Sequence, residues 1–180
     1  MKSIKRMTEV ELAALVATRL RRAGIEVVLS GGTCVSIYSG RRYVSMDLDL
    51  VNVKFAGRRQ IRESMAELGF NERGRSFAHP DAPYLVEFPP GPLAVGEEPV
   101  RRVDEMKVST GLLKLLSPTD CVKDRLAWFF HCADRQCLEQ AALVAEANDV
   151  DLREIRRWSA SEGKLVEFER IRRRLKRGRA

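Results

Sequence analysis

Two stretches of sequence decide the fold: residues 27–33, VVLSGGT, and residues 45–50, SMDLDL. The first predicts a short buried strand that a diglycine ends just before a helix. The second predicts another strand, because polar and apolar side chains alternate along it. Strand, diglycine, short helix and acidic strand in this order are far more specific than any one of them alone.

The two aspartates of the second stretch are predicted to lie side by side. Side chains two positions apart on a strand share a face, so Asp47 and Asp49 are roughly 7 Å apart at Cα, while Leu48 and Leu50 point into the core. Aspartate is a poor strand former and two like charges repel each other, so the pair destabilises this strand. A divalent cation would remove that destabilisation and make the pair a ligand set.

The diglycine predicts a phosphate site. Between a strand and a helix, Gly31 and Gly32 expose backbone N–H groups at a helix N-terminus, where phosphate binds well. No glycine side chain obstructs the approach. The alternative is an ordinary turn, which is what most diglycines form.

The composition fits one globular domain, or one domain with a helical appendage. Of 180 residues, 44% are hydrophobic and 32% are charged, which excludes a disordered chain. No apolar run approaches the ~20 residues of a membrane span, and acidic residues near the start argue against a signal peptide. Four cysteines without a CxxC pair favour reduced thiols, so we expect a cytoplasmic protein.

The positive charge is concentrated near the C-terminus. Residues 153–179 hold 11 Lys and Arg and four Glu, which accounts for the whole net charge of +7. A polyanion such as RNA or tRNA is a natural partner for this segment. The alternative is a charged, solvated helix end.

Periodicity predicts an α/β part over residues 1–116 and a helical part over residues 117–180. Predicted helices are 8–22, 33–38, 58–68, 118–132, 134–147, one capped by Asp151, and 164–176. Predicted strands are 26–30, 45–53, 70–79, 84–88 and one or two within 100–116, with a loop at 89–99. The pattern places Trp128, Phe129 and Phe130 in the core rather than on a base-stacking surface, and the His131, Cys132 and Cys137 spacing fits no common zinc site.

Thr8 and Glu11 predict a capping box at the start of the first helix, and its apolar face carries Leu12, Leu15, Val16 and Leu20. Ser117-Pro118 predicts the start of the helix at 118–132.

The chain resembles the nucleotidyltransferase superfamily of the DNA polymerase beta type. Within it, the chain is similar to the small AbiEii-type toxin and minimal nucleotidyltransferases, over about residues 25–147. The matching residues are Gly31, Gly32, Ser45, Asp47-Leu48-Asp49, the segment 117–126 and Ala133-Asp134-Arg135. The resemblance implies an α+β fold, in which a small mixed sheet with flanking helices is followed by a C-terminal helical bundle.

The resemblance also implies a metal site. Asp47 and Asp49 would hold Mg²⁺ or Mn²⁺, with a third carboxylate on a neighbouring strand. Glu87 is the best candidate, as the only acid in an apolar strand, and Asp104 and Glu105 are the reserve candidates. The alternative for Glu87 is an ordinary outward-facing glutamate.

Nucleotide contacts follow from the same resemblance. Gly31, Gly32 and Ser45 would hold the triphosphate of an NTP. Lys123 would neutralise developing charge as a catalytic residue, and Asp134 would face the nucleotide. The alternatives are a surface lysine on a solvated helix and an N-cap aspartate.

The implied activity is metal-dependent transfer of an NMP group from an NTP to an acceptor hydroxyl on RNA, protein or a small molecule. A role in a toxin–antitoxin pair, with an antitoxin as partner, belongs to the same expectation. The alternative is a catalytically degenerate member that binds a nucleotide or RNA. A third possibility is a basic RNA-binding adaptor without metal chemistry.

Overall fold

The computed structural model describes residues 3–176 and confirms an α+β fold. Its helices are α1 (Glu9–Arg22), α2 (Gly31–Tyr38), α3 (Arg58–Ala66), α4 (Pro118–Cys132), α5 (Arg135–Ala147), α6 (Leu152–Ser161) and α7 (Leu165–Lys176). Its strands are β1 (Val27–Ser30), β2 (Asp47–Asn52), β3 (Asn71–Arg73), β4 (Ser76–Ala78), β5 (Leu85–Glu87), β6 (Ala94–Val95), β7 (Glu98–Pro99), β8 (Val103–Val108) and β9 (Gly111–Leu116). A short 3-10 helix, Ile4–Arg6, precedes α1.

A mixed sheet runs through the protein in the order β3-β4-β5-β2-β1-β9-β8. The acidic strand β2 lies at its centre, antiparallel to β1 and parallel to β5. β1 is parallel to β9, and β6 and β7 form a separate hairpin. The side chains of β2 therefore have a neighbouring strand on each side, which positions the site described below.

The first helix forms where its capping signal predicts. The Thr8 hydroxyl accepts a hydrogen bond from the N–H of Glu11, and the Glu11 carboxylate accepts one from the N–H of Thr8. Leu12, Val16 and Leu20 share one helical face and are fully buried. Both the predicted capping box and the predicted apolar face are confirmed.

Two stretches depart from the expected pattern. The single strand predicted at 70–79 is a hairpin of β3 and β4, because Gly74 adopts a φ of +62° between them. The loop predicted at 89–99 contains β6 and β7, which Gly96 joins with a φ of +60°. Strands of two or three residues carry too little alternation to be detected in the sequence.

Beyond the sheet the chain is helical, as predicted. Ser117 caps α4 with Pro118 in its first turn, and Asp151 caps α6. Leu126 of α4 belongs to the same buried core as Leu48 of β2, so the helices and the sheet share one core. The predicted division after residue 116 coincides with the end of β9, and its standing as a domain boundary stays a prediction.

The cysteines are free thiols, three of them buried and Cys132 exposed. This agrees with the expected reduced state, and His131 pairs with Glu162 rather than with a cysteine. Among residues 3–176, no helix combines the length and the apolar character needed to cross a bilayer.

Candidate active site

The two aspartates of β2 lie on one face of the sheet, at the start of the strand. Leu48 and Leu50 alternate with them and are fully buried on the opposite face. Asp47 is exposed and Asp49 is half-buried, and both line the same cavity. The alternation predicted for this strand is therefore present, with its acidic side open to a cleft.

Glu87 brings a third carboxylate to this face. On the parallel strand β5 it stands directly opposite Asp49 in the register. Its Oε1 accepts a hydrogen bond from the Ser76 hydroxyl at 2.6 Å and lies 3.5 Å from Nε of Arg75. The reserve candidates are placed elsewhere, because Asp104 and Glu105 belong to β8 at the far edge of the sheet.

The carboxylates oppose one another electrostatically. Burial, and after it the charge of Glu87, raises the pKa of Asp49 to about 6, and Asp47 and Asp124 act in the same direction. The guanidinium of Arg125 acts against this shift. An ionised Asp49 is therefore disfavoured by burial and by the nearby carboxylates, which is a cost that a bound cation would relieve.

The diglycine is packed against the acidic strand more closely than the sequence suggests. A Cβ at position 31, where φ is +68°, would lie 2.2 Å from Oδ2 of Asp49. A Cβ at position 32 would lie 2.9 Å from Oγ of Ser45 and 3.3 Å from the ring of Tyr43. The protein's own side chains therefore leave too little room for a Cβ at either position, whether or not a ligand binds.

Ser45 fixes the backbone that carries the aspartates. Its hydroxyl donates to the carbonyl of Asp47 at 3.0 Å and accepts from the N–H of the same residue at 3.2 Å. The hydroxyl of Thr33 in α2 donates to that carbonyl at 2.7 Å. These bonds tie the first turn of α2 to the beginning of β2.

Together these groups line one open cleft of about 430 Å³, here called the carboxylate cleft. Its predicted members are Gly32, Ser45, Asp47, Asp49 and Glu87, and its further members are Tyr43, Arg75, Pro89, Arg125 and Trp128. Gly31 lines an adjoining cavity together with Asp49.

The donors of the cleft fit a hard divalent cation. Mg²⁺ prefers carboxylate oxygens and is usually held by one or two carboxylates together with substrate phosphates. Within residues 3–176, no three His, Cys, Asp or Glu side chains are arranged to hold an ion by themselves. Oxygens of a bound phosphate would have to complete the coordination.

Two solved structures resemble this chain over most of its length. ANT(2'')-Ia in complex with adenylyl-2''-tobramycin matches with a TM-score of 0.56 and 14% identity, over 86% of this chain and 97% of that one. The fold of this chain is therefore similar to the nucleotidyltransferase fold. A solution structure of the antibiotic-resistance factor ANT(2'')-Ia matches with a TM-score of 0.52 and 13% identity, over 91% of this chain and 92% of that one. At such identities the likeness establishes the fold alone.

No protein-family model matches the chain, and no curated protein matches it in sequence.

Two predicted nucleotide contacts do not line the carboxylate cleft. The side chain of Lys123 points into an ionic cluster, and the residue is only 4% exposed. Its Nζ lies 2.6 Å from Glu154, 3.2 Å from Asp120 and 3.9 Å from Glu98, and Arg157 pairs with two of these carboxylates. We call these five residues the lysine cluster. All of them except Arg157 line a different cavity of about 440 Å³.

Asp134 has the alternative role that the sequence left open. It is the N-cap of α5, and its Oδ1 accepts hydrogen bonds from the backbone N–H groups of Gln136 and Cys137. Its other oxygen lies 3.4 Å from the thiol of Cys137. The carboxylate is thus occupied by the start of its own helix.

Helix α4 supplies two cleft residues that the sequence analysis missed. Trp128 is 52% exposed, so its assignment to the core is wrong, although Phe129 and Phe130 pack against the core as predicted. Arg125 is mostly buried and lines the cleft beside Asp49. Their spacing of three residues puts both on one helical face, and this spacing is the sequence feature from which their proximity could have been predicted.

Proposed function

We propose that the protein is a metal-dependent nucleotidyltransferase that moves an NMP group from an NTP to an acceptor hydroxyl. The observation that carries the proposal is the set of carboxylates on β2 and β5, gathered on one wall of an open cleft in a nucleotidyltransferase fold. Burial and the charge of Glu87 both disfavour an ionised Asp49, and a bound cation would offset both effects.

Asp47 and Asp49 would hold Mg²⁺ or Mn²⁺, with Glu87 assisting. When bound, such an ion stabilises the attacking and leaving oxygens of an in-line displacement. The protein holds these carboxylates ready, because Ser45 and Thr33 fix the backbone of Asp47 and Ser76 fixes Glu87.

The reaction forms a bond between the acceptor oxygen and the α-phosphorus of the NTP. The bond from that phosphorus to the bridging oxygen breaks, and pyrophosphate leaves with the electron pair. We assign the acceptor's proton to the carboxylate of Glu87, which stands next to the aspartates. Backbone N–H groups at the start of α2 would contact the phosphates, as the diglycine predicts.

Arg125 takes the charge-neutralising role that the sequence assigned to Lys123. Its Nε and Nη2 donate to Asp124 at 3.0 and 2.5 Å, and its Nη1 lies 3.4 Å from Oε1 of Gln140. Asp124 and Gln140 hold the guanidinium next to Asp49, where it would face a phosphate bound in the cleft.

The acceptor hydroxyl belongs to RNA, to a protein or to a small molecule, and specific observations bear on the small molecule and on RNA. Adenylyl-2''-tobramycin, bound in one solved structure of the same fold, is the type of compound that transfer to a small-molecule hydroxyl yields. An RNA acceptor is supported by the basic segment 153–179, of which residues 177–179 lie outside the described residues. Within the described part, Arg156, Arg157 and Arg174 pair with carboxylates of the protein, whereas Arg173 has no ion pair there. The AbiEii-type affiliation, the toxin–antitoxin role and the antitoxin partner stay predictions.

Label transfer tests the proposal. The purified protein is incubated with each α-labelled NTP, Mg²⁺ or Mn²⁺, and total RNA, cell protein or tobramycin, and we expect one acceptor to become labelled as pyrophosphate appears. The Asp47→Asn/Asp49→Asn variant should transfer nothing, while Glu105→Gln, an exposed carboxylate on β8, should transfer normally. Metal-dependent NTP binding without transfer would indicate a degenerate member, and the absence of binding would refute the proposal.

A further inference from the structure

A second cavity, of about 340 Å³, adjoins the carboxylate cleft and is apolar on most of its walls. We call it the apolar lobe. Its apolar lining consists of Val51, Pro89, Pro90, Pro92, Leu93, Ala94 and Trp128. Its size falls within the range of small-molecule sites, which are apolar with a few polar groups.

Trp128 is the unusual wall of this lobe. The chain has two tryptophans, and Trp158 behaves as expected for the core: it is fully buried, its Nε1 donates to the carbonyl of Val95 and its ring stacks on Phe130. Trp128 is half-exposed on a concave surface and stacks on no other aromatic ring among residues 3–176. An indole left open in a cavity is suited to an aromatic ring of a ligand.

The lobe and the carboxylate cleft share Asp49, Arg125, Trp128 and Pro89, which line both cavities. A ligand whose ring lies against Trp128 would place its attached polar group next to a guanidinium and a metal-binding carboxylate. Such a ligand has an aromatic ring joined to an anionic group, and the anion binds both the guanidinium and the metal ion. A nucleotide fits this description better than other classes of ligand.

We propose that the apolar lobe binds the base of the donor NTP, with Trp128 as the stacking wall. The inference rests on the proposed function and adds the direction in which the nucleotide lies: the base in the lobe, and the phosphates from the Asp49–Arg125 boundary into the carboxylate cleft. The prolines that line the lobe, Pro89, Pro90 and Pro92, have no backbone N–H groups and so offer no such donors to the ring. Stacking therefore dominates over hydrogen bonding, and purines bind more tightly than pyrimidines.

The two tryptophans make this inference directly measurable. Trp158 is fully buried but lies beneath the cavity that the lysine cluster borders, so the Trp128→Phe variant decides whether a change in indole emission comes from Trp128. We expect Mg²⁺ with ATP to quench the emission, and Mg²⁺ with tripolyphosphate, which lacks a base, to bind without quenching. Trp128→Phe should abolish the quenching but keep most of the affinity measured by calorimetry.

Removal of the aromatic ring provides the second readout. Trp128→Ala should weaken ATP binding by roughly 5- to 150-fold, the range expected for the loss of one base–aromatic stack, and leave tripolyphosphate affinity unchanged. Val166→Ala, which shortens an exposed apolar residue on α7, is the matched control and should change neither affinity. Trp128 contributes little to the core, so circular dichroism and the melting temperature should stay near those of the wild type.

Each contrary result has a distinct meaning. If Trp128→Ala binds ATP as tightly as the wild type and ATP leaves the emission unchanged, the base lies elsewhere and only this inference falls. If tobramycin or RNA, and not ATP, changes the emission, the lobe belongs to the acceptor and the inference is overturned. If neither ATP nor tripolyphosphate binds, the proposed function itself fails.

Discussion

The carboxylate cleft and the lysine cluster are both rich in charge, but they manage it in opposite ways. In the cleft, Asp47, Asp49 and Glu87 face one another, and the pKa of Asp49 rises to about 6 because burial and like charge disfavour its ionised form. In the cluster, hydrogen bonds from Arg157 and Lys123 lower the pKa of Glu154 to about 2, against the effect of burial.

This difference in charge balance is what we expect between a ligand-binding site, the carboxylate cleft, and a structural contact, the lysine cluster. Charges that satisfy one another, as around Lys123, stabilise the fold and leave little for a ligand to gain. Charges that repel one another cost stability, and a ligand of opposite sign recovers that cost on binding. The predictions that follow test this contrast, from the largest expected effect to the smallest.

The largest effect is expected at Asp49. Asp49→Asn should lower transfer by about 1,000-fold or more, since charge stabilisation at the reacting phosphate is lost. The same change removes a repelling charge, so the melting temperature without ligand should not fall. The rate of labelled transfer tests the predicted loss of activity, and a thermal melt tests the predicted stability. If the variant is active and destabilised, Asp49 serves to stabilise the fold, as the charges around Lys123 do.

Lys123 should show the reverse. Lys123→Met removes the cation from its carboxylates and should lower the free energy of unfolding by about 2 to 3 kcal/mol, somewhat below a fully buried pair because Glu154 is partly exposed. NTP affinity per folded molecule should not change. Lys164→Met is the control, because its surface pair with Glu167 at 3.5 Å is worth about 1 kcal/mol or less. Loss of NTP affinity at normal stability would restore the role first assigned to Lys123.

The cluster should also weaken in acid. Because the pKa of Glu154 is lowered to about 2 in the folded state, its stabilisation is complete above the unfolded value near 4.5 and is lost as the pH falls towards 2. We expect the wild type to lose about 1 to 2 kcal/mol more than Glu154→Gln over this interval. Denaturant unfolding at several pH values measures it, with Glu105→Gln as the variant that should follow the wild type. Parallel curves for wild type and Glu154→Gln would contradict the account.

The smallest effect concerns the basic segment. Truncation at residue 170 would also remove Ile171 and Leu175, which are buried, so charge substitutions are the cleaner test. Arg173→Gln/Lys176→Gln should reduce the slope of log RNA affinity against log salt by about 1.4, for two single-strand phosphate contacts. Arg174→Gln, whose charge already pairs with Glu139, should leave the slope unchanged. Equal slopes in all variants would remove RNA as the acceptor and leave a protein or a small molecule.

Local signals predicted much of the fold. Strand alternation at Leu48 and Leu50, the capping box at Thr8 and the Ser117-Pro118 helix start depend only on residues a few positions apart, and all three are present in the structure. The β6–β7 hairpin was missed because strands of two residues carry no measurable period.

Long-range packing limited the prediction of the site. Glu87 could be chosen as a candidate, but its place opposite Asp49 depends on the register between β2 and β5. For Lys123 and Trp128, helical periodicity predicts which face of α4 carries the residue, but it does not predict which other element packs against that face. The lysine therefore lies among carboxylates brought from α6 and β7, and the tryptophan beside the proline loop.

Metal-linked nucleotide binding tests the central claim most directly. With Mg²⁺ or Mn²⁺ present, an NTP at 100 times its dissociation constant should stabilise the wild type by about 2.7 kcal/mol. The Asp47→Asn/Asp49→Asn variant should lose the metal-dependent part of this stabilisation, and Glu105→Gln should keep it. If the double variant gains as much stability from metal and NTP as the wild type does, the carboxylate cleft is not the metal–nucleotide site.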